Sequence, residues 1–189
     1  MARGATDANR ALVPLVVALL VGAGVSVFLG VYGNAHDPTG RAIFTLFFTS
    51  TINLKAWFTT AAVVLAGFQL LSAARIVGKI NVPANVPEWL GDAHRLSGTL
   101  AFALTLPVAY HCLWSLGFES DADQTRRFVH SLLGCFFYGV FAMKIMAVRS
   151  RSLPEWVLPL AGGTVFTVLV GLWYTSALWF FRDAGFPSI

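Results

Sequence analysis

The chain has 189 residues, of which 57% are hydrophobic and 12% charged, and its mean hydropathy is +0.70. Soluble domains contain about 45–50% apolar and about 25% charged residues, so this composition excludes an ordinary soluble protein. Thirteen Lys and Arg residues against nine Asp and Glu give a net charge of +4, and the basic residues lie in short clusters between apolar runs. This distribution is typical of orientation signals in a bilayer and does not indicate nucleic-acid binding.

Five apolar runs are long enough to cross a bilayer, which takes about 20 helical residues. They cover approximately residues 11–33, 53–77, 94–117, 125–148 and 156–181. We therefore predict a single all-α domain, residues 1–189, built as a bundle of five transmembrane helices. The first run is longer than the roughly 7–15 residues of a signal-peptide core, so we interpret it as a retained anchor.

The basic residues also predict the orientation of the bundle. With the N-terminus inside, eight Lys and Arg residues lie on or near the cytoplasmic side and five lie outside, which favours an N-in, C-out arrangement. Between the first two spans, residues 38–50 place apolar side chains at helical spacing, and we predict a short amphipathic helix on the outer surface. Transport is disfavoured, because no acidic residue falls deep in a span and no inverted repeat is evident.

His111 and His130 are the strongest candidate functional residues, because an ionisable side chain in a membrane span indicates a functional site. They lie on consecutive antiparallel helices, about equally far from the polar turn at residues 119–124, and therefore at similar depth. Two imidazoles at one level in an apolar bundle are the ligands of a bis-histidine b-type haem. Such a haem requires helices three and four to lie further apart than the usual 8–10 Å or so. The alternatives are a hydrogen bond across the bundle, another metal, or a quinone.

Two further residues belong to the haem hypothesis. Gly134 lies one turn after His130, where the missing side chain would let a flat macrocycle approach the helix. His94 begins a His-x-x-x-Gly run with the same spacing as His130 and Gly134. This repeat suggests a second haem on the inner side. That site lacks a second histidine, although Met146, and less closely Met143, lies near the right depth. A surface or capping role for His94 is the stronger interpretation.

The remaining reactive side chains have ordinary roles in this interpretation. His36 is expected to be a solvated loop histidine on the side of the proposed haem, where it is a substitute ligand. Cys112 and Cys135 are offset by roughly 9 Å along antiparallel helices, which disfavours a disulfide. Lys144 is expected to extend its charge to the cytoplasmic surface as an anchor.

The run HRLSGTLAF at residues 94–102, followed by His111, resembles the ferric-reductase-like and other small cytochrome b transmembrane domains. In those domains a histidine–arginine start precedes a second histidine, and the resemblance implies haem b and electron transfer. Residues 94–114, 129–144 and 154–182 resemble a compact actinobacterial family of multi-pass membrane proteins of unassigned function. That second resemblance implies a bacterial plasma-membrane protein.

We therefore expect a cytochrome b subunit that transfers single electrons, because bis-histidine ligation leaves no open iron position. The expected partners are membrane lipid, an extracytoplasmic redox protein above helices three and four, and a quinol or second haem near His94. One rival is a non-redox membrane anchor or assembly subunit whose histidines hold helices together. Another is a haem-free quinone-binding protein that uses His111 or His130 as a hydrogen-bond donor or proton acceptor.

Overall fold

The computed structural model describes residues 2–80, 85–150 and 152–186, with side chains from residue 11 onward. Its α-helices are α1 (Ala2–Ala35), α2 (Thr51–Ile76), α3 (Leu90–Tyr110), α4 (Thr125–Arg149), α5 (Val157–Trp173) and α6 (Trp179–Ala184). Two π-helical turns interrupt this pattern. The first, His111–Leu116, continues α3, and the second, Tyr174–Leu178, joins α5 to α6. The described residues contain no β-strand.

Five helical stretches are long and apolar enough to cross a membrane: Ala11–Ala35, Thr51–Ile76, Leu90–Leu116, Ala122–Arg149 and Val157–Ala184. Large apolar side chains such as Phe28, Val64 and Leu100 are exposed on their outer faces, as expected for surfaces that contact lipid. The chain is therefore a multi-pass membrane protein, and the predicted all-α bundle of five spans is confirmed.

The spans are arranged around the bundle in an order that differs from their order in the chain. α1 packs on α4, α4 on α5, α5 on α2, and α2 on α3. The contact between α1 and α4 is close, since a Cβ atom added to Gly139 would overlap Ser26 Oγ and the carbonyl oxygen of Gly22. Small residues at such a crossing let two membrane helices approach backbone to backbone.

α3 and α4 meet through side chains rather than through close backbone packing. The rings of Phe102 and Phe141 stack with their centroids 4.0 Å apart. Tyr138 Oη donates a hydrogen bond to the carbonyl oxygen of Thr105 at 2.9 Å. Beyond this contact, toward the turn at residues 117–124, the bundle contains a cavity.

The prediction of an amphipathic helix between the first two spans is wrong. These residues form an irregular connection, in which Gly40 and Leu46 have φ angles of 63° and 52°. A right-handed helix cannot contain such left-handed residues. The N–H groups of Thr39 and Gly40 donate instead to the carbonyl oxygens of Trp114 and Ser115, at 2.9 and 3.1 Å. The connection is therefore bound as a cap on the first π-helical turn.

Candidate functional site

The cavity lies at the end of the bundle that carries the turn at residues 117–124, which we call the His130 end. Its volume is about 600 Å³, within the range of roughly 300–1,000 Å³ that is usual for ligand sites. All five spans contribute side chains to its wall, and Thr105, Tyr138 and Leu169 are among the lining residues deepest in the bundle. Apolar residues from every span supply much of the remaining surface, among them Leu29, Ile52, Val108, Leu113 and Leu172.

His130 lines this cavity from α4, and its ring is held by a hydrogen bond to α5. The Nδ1 atom lies 2.9 Å from Thr175 Oγ1. Thr175 Oγ1 itself donates to the carbonyl oxygen of Gly171 at 2.9 Å, which engages its one proton. If Thr175 keeps that bond, His130 Nδ1 is the donor to Thr175 and Nε2 carries the lone pair. A neutral imidazole fixed in this way is the form in which histidine binds a metal.

Thr175 belongs to the second π-helical turn, and it holds a second cavity residue as well. Its carbonyl oxygen accepts a hydrogen bond from Arg126 Nη1 at 2.7 Å. The same guanidinium lies 4.0 Å from the centroid of the Trp179 ring, in a cation–π contact. A π-helical turn is a rare element that is frequent at functional sites. Here it contacts both Arg126 and His130.

His111 is the first residue of the first π-helical turn and is 0% exposed. Its ring packs against Phe44 of the cap and against Tyr110, with centroids 4.5 and 5.9 Å apart. Among the described residues, neither ring nitrogen has a hydrogen-bond partner. Leaving a buried polar group unpaired costs about 1–3 kcal/mol, so this ring requires an explanation.

The structure does not bring His111 and His130 together in one site. His130 lines the cavity, whereas His111 lies outside its wall, although the next two residues in the chain, Cys112 and Leu113, line it. No hydrogen bond or ring contact joins the two histidines within the described ranges. His111 is a buried neighbour of the cavity, one residue from its wall.

Gly134 and both cysteines also belong to the cavity wall. A Cβ atom added to Gly134 would meet no heavy atom within 4 Å, so α4 presents open backbone to the cavity one turn from His130. Cys112 and Cys135 are free thiols. The wall beside His130 is therefore flat at Gly134 and carries weakly polar sulfur atoms nearby.

His94 lies at the opposite end of the bundle, which we call the His94 end, in a polar cluster between α2 and α3. Its Nδ1 is 2.8 Å from Ser72 Oγ, and Ser72 donates its proton to the carbonyl oxygen of Phe68 at 2.7 Å. Gln69 Nε2 donates to the carbonyl oxygen of His94 and, at 2.8 Å, to Ser97 Oγ. His94 therefore joins two helices, and if Ser72 keeps its bond to Phe68, Nδ1 is the donor and Nε2 carries no proton.

His36 differs from the solvated loop histidine that we expected. Its ring stacks on Tyr32, with centroids 5.4 Å apart, and contacts Trp114 at 5.5 Å. Nε2 is buried and has no partner among the described residues. His36 is thus part of an aromatic cluster that joins α1 to the first π-helical turn.

Three cations line the cavity that the sequence analysis did not single out for function: Lys55, Arg126 and Arg127. Arg126 precedes His130 by one helical turn, so the spacing alone could have placed it on the same face. Thr175 could also have been found, because residues 130 and 175 are about equally far from the connection at residues 150–156. A threonine in an apolar span nevertheless usually bonds to its own helix, so its sequence signal is weak.

Comparisons with known proteins give a family but no relative of known activity. No curated protein and no solved structure matches the chain. A family model described as a family of unknown function (DUF6529) matches residues 15–188. Because this match spans nearly all of the five-span bundle, the chain belongs to the family of unknown function DUF6529.

Proposed function

We propose that this protein is a b-type cytochrome subunit of a bacterial plasma membrane, which transfers electrons through a haem bound in the cavity at the His130 end. The observation that carries the proposal is the state of His130. Its Nδ1 lies 2.9 Å from Thr175 Oγ1, whose own proton is engaged by Gly171, and this favours an unprotonated Nε2 in the wall of a largely apolar cavity of about 600 Å³. This is the arrangement that second-shell groups impose on histidines that ligate metals.

The residues around His130 fit a haem. Bound haem iron supplies one-electron transfer, and the protein supplies its ligands and its surroundings. His130 Nε2 would bind the metal, and the open backbone at Gly134 would accept the flat ring. Tyr138 is hydrogen-bonded to Thr105 at the deep end of the cavity, and both residues line it. This combination supports haem over a small metal ion.

His111 is the proposed second ligand, and its buried state supports that role. To reach the cavity, its ring would have to leave Phe44 and turn past the wall beside Cys112. Because neither ring nitrogen makes a hydrogen bond of normal geometry among the described residues, the turn gives up only the contact with the ring and backbone of Phe44. Ligation would also satisfy one of its two unpaired buried nitrogens.

The proposed electron path continues to a partner at each end of the bundle. His94 is the proposed contact for a quinol or a second haem at the opposite end. An extracytoplasmic redox protein would exchange electrons above the cap and the turn at residues 117–124. Both partners would contact spans that carry the histidines.

Visible absorption spectra of the purified protein, recorded before and after dithionite, test the proposal. We expect the sharp bands of reduced low-spin haem in the wild type, and their loss in His130→Ala and His111→Ala. His36→Ala is the matched control, because it removes a half-buried histidine at the same end that does not line the cavity. A colourless wild-type protein, after expression with ample haem supply, would contradict the proposal.

The same cavity supports a second candidate function, quinone binding without haem. It is favoured by the finding that His130 is the one histidine in the cavity wall among the described residues. His130 Nε2 could accept a hydrogen bond from a quinol hydroxyl group. Solvent extraction of the colourless protein would then yield bound quinone, whereas a non-redox anchor would yield neither quinone nor haem.

A further inference from the structure

We infer that Lys55, Arg126 and Arg127 form a subsite for the anionic groups of an amphiphile whose apolar body lies in the cavity. The inference rests on the proposed function where it takes that amphiphile to be a porphyrin, whose acidic groups are carboxylates. The same chemistry is offered by the phosphate of an anionic lipid. The subsite would set the orientation of the occupant, with its acidic end toward the turn at residues 117–124.

The charge balance of the cavity is the first argument. Its described lining contains three cations and a single carboxylate, Glu119. Where side chains are described, the one ion pair of the structure joins Arg95 to Asp92, far from this site. Lys55 and Arg126 are half-buried, whereas Arg127 is exposed. Half-buried cations in or beside a membrane span without a charged partner are costly, so Lys55 and Arg126 favour an anionic ligand.

The position of Arg126 is the second argument. Trp179 stacks on one face of its guanidinium, and the carbonyl oxygen of Thr175 accepts from one of its nitrogens at 2.7 Å. These contacts hold the side chain in place while most of its five N–H donors remain available. A fixed guanidinium of this kind suits a carboxylate or phosphate group, because little side-chain freedom is lost on binding.

The third argument is the order of groups along the cavity. The cations belong to the first two turns of α2 and the first turn of α4, near the turn at residues 117–124, whereas Gly134 and Tyr138 lie progressively deeper. An occupant with acidic groups at one end and a flat apolar body satisfies both regions at once. A neutral quinone would leave the cations without a partner.

Binding of two porphyrins to the purified protein tests the subsite. The probes are hemin and its dimethyl ester, which differ only in whether the carboxylates are free. We expect the wild type to bind hemin at least about tenfold more tightly than the ester, the effect of one charge-assisted hydrogen bond. Lys55→Gln and Arg127→Gln should lose this preference, whereas Arg149→Gln, at the other end of α4, should keep it. Arg126 is not used here because it also contacts Thr175.

A second measurement separates the two sources of the anionic group. Native mass spectrometry would count phosphatidylglycerol and phosphatidylcholine retained by the wild type and by the same variants. If hemin does not bind, but phosphatidylglycerol is retained by the wild type and lost by Lys55→Gln, the subsite stands as a lipid headgroup site and the cytochrome proposal fails. If hemin and its ester bind equally well, the cytochrome proposal stands and the porphyrin subsite fails. If neither the hemin preference nor lipid retention depends on the cations, the inference is overturned.

Discussion

A single hydroxyl group sets the chemistry of His130. Thr175→Val keeps the shape of the side chain but removes the hydrogen-bond partner of Nδ1. We expect hemin affinity to fall by about 10–100-fold, the usual effect of losing a second-shell partner. Titration of the purified protein with hemin measures this affinity.

Thr164→Val is the control for this substitution. Thr164 also lies on α5 and donates to the carbonyl oxygen four residues earlier, but it does not line the cavity. Equal hemin affinity in the Thr175 and Thr164 variants would contradict the role given to Thr175.

Gly134 offers a second test at the scale of one residue. Because a Cβ atom there meets no heavy atom within 4 Å, Gly134→Leu should fold and place its side chain in the cavity. We expect at least about a tenfold loss of hemin or quinone binding, because the ligand and the new side chain compete for the same volume. Gly24→Leu, an equally open position on α1 outside the cavity, should bind as the wild type does. Full ligand occupancy in Gly134→Leu would exclude this part of the cavity as the binding site.

The sequence predicts single residues here as far as spacing along one helix allows. His130 and Gly134 share a face of α4 because they are four residues apart, and both line the cavity. The sequence also predicts the depth of His111 in the membrane, but it does not predict the direction in which its ring points. Its ring packs against Phe44, from a connection whose path depends on backbone hydrogen bonds to the π-helical turn. Periodicity carries no information about such contacts.

At the scale of helices, Gly139 fixes how closely α1 and α4 cross. Gly139→Ala should displace α1, because the new methyl group would overlap Ser26 Oγ and the carbonyl oxygen of Gly22. We expect a loss of about 1–3 kcal/mol in stability, typical of overpacking, which exceeds the gain in helix propensity from Gly to Ala. Unfolding in mixed detergent micelles measures it. Gly134→Ala, which adds the same methyl group to the same helix in open space, should not be destabilised.

The connection between α1 and α2 shows where reasoning from helical patterns fails. Apolar residues at helical spacing occur there, yet the chain does not form a helix. Its apolar side chains instead contact other parts of the protein, since Phe44 covers His111 and Phe48 packs against Phe58. Three hydrogen bonds to or from the first π-helical turn hold the backbone, among them one from Ser115 Oγ to the carbonyl oxygen of Arg41 at 2.8 Å. Spacing alone cannot distinguish burial in a cap from one face of a helix.

For the whole molecule, the distribution of Lys and Arg predicts that the N-terminus is inside and the C-terminus outside. An odd number of spans places the two termini on opposite sides of the membrane, so reporter fusions can test the orientation. We expect alkaline phosphatase to be active when fused after residue 189 and inactive when fused after residue 80. A fluorescent protein fused before residue 1 should fluoresce. The reverse pattern would place the cavity at the cytoplasmic surface and exclude an extracytoplasmic redox partner above it.

Hydropathy alone predicts the number of spans, because each apolar stretch must cover the hydrocarbon layer. It does not predict the order of the spans around the bundle, in which α4 lies between α1 and α5. That order depends on local shape, such as the close crossing at Gly22 and Gly139. The cavity follows from the order, because α3 and α4 approach each other through side chains near the middle of the membrane and leave space beyond.

The second π-helical turn, in the fifth span, can be removed by deleting one residue. A π-helix bonds each residue to the fifth along rather than the fourth, so this turn contains one residue more than an α-helix would need. Deleting Ser176 should return the segment to an ordinary helix, with α6 still continuing from α5 in the same direction. The hydroxyl and carbonyl groups of Thr175 would then rotate away from α4. A one-residue deletion thus distinguishes what this helix does as a membrane anchor from what it does for the histidine beside it.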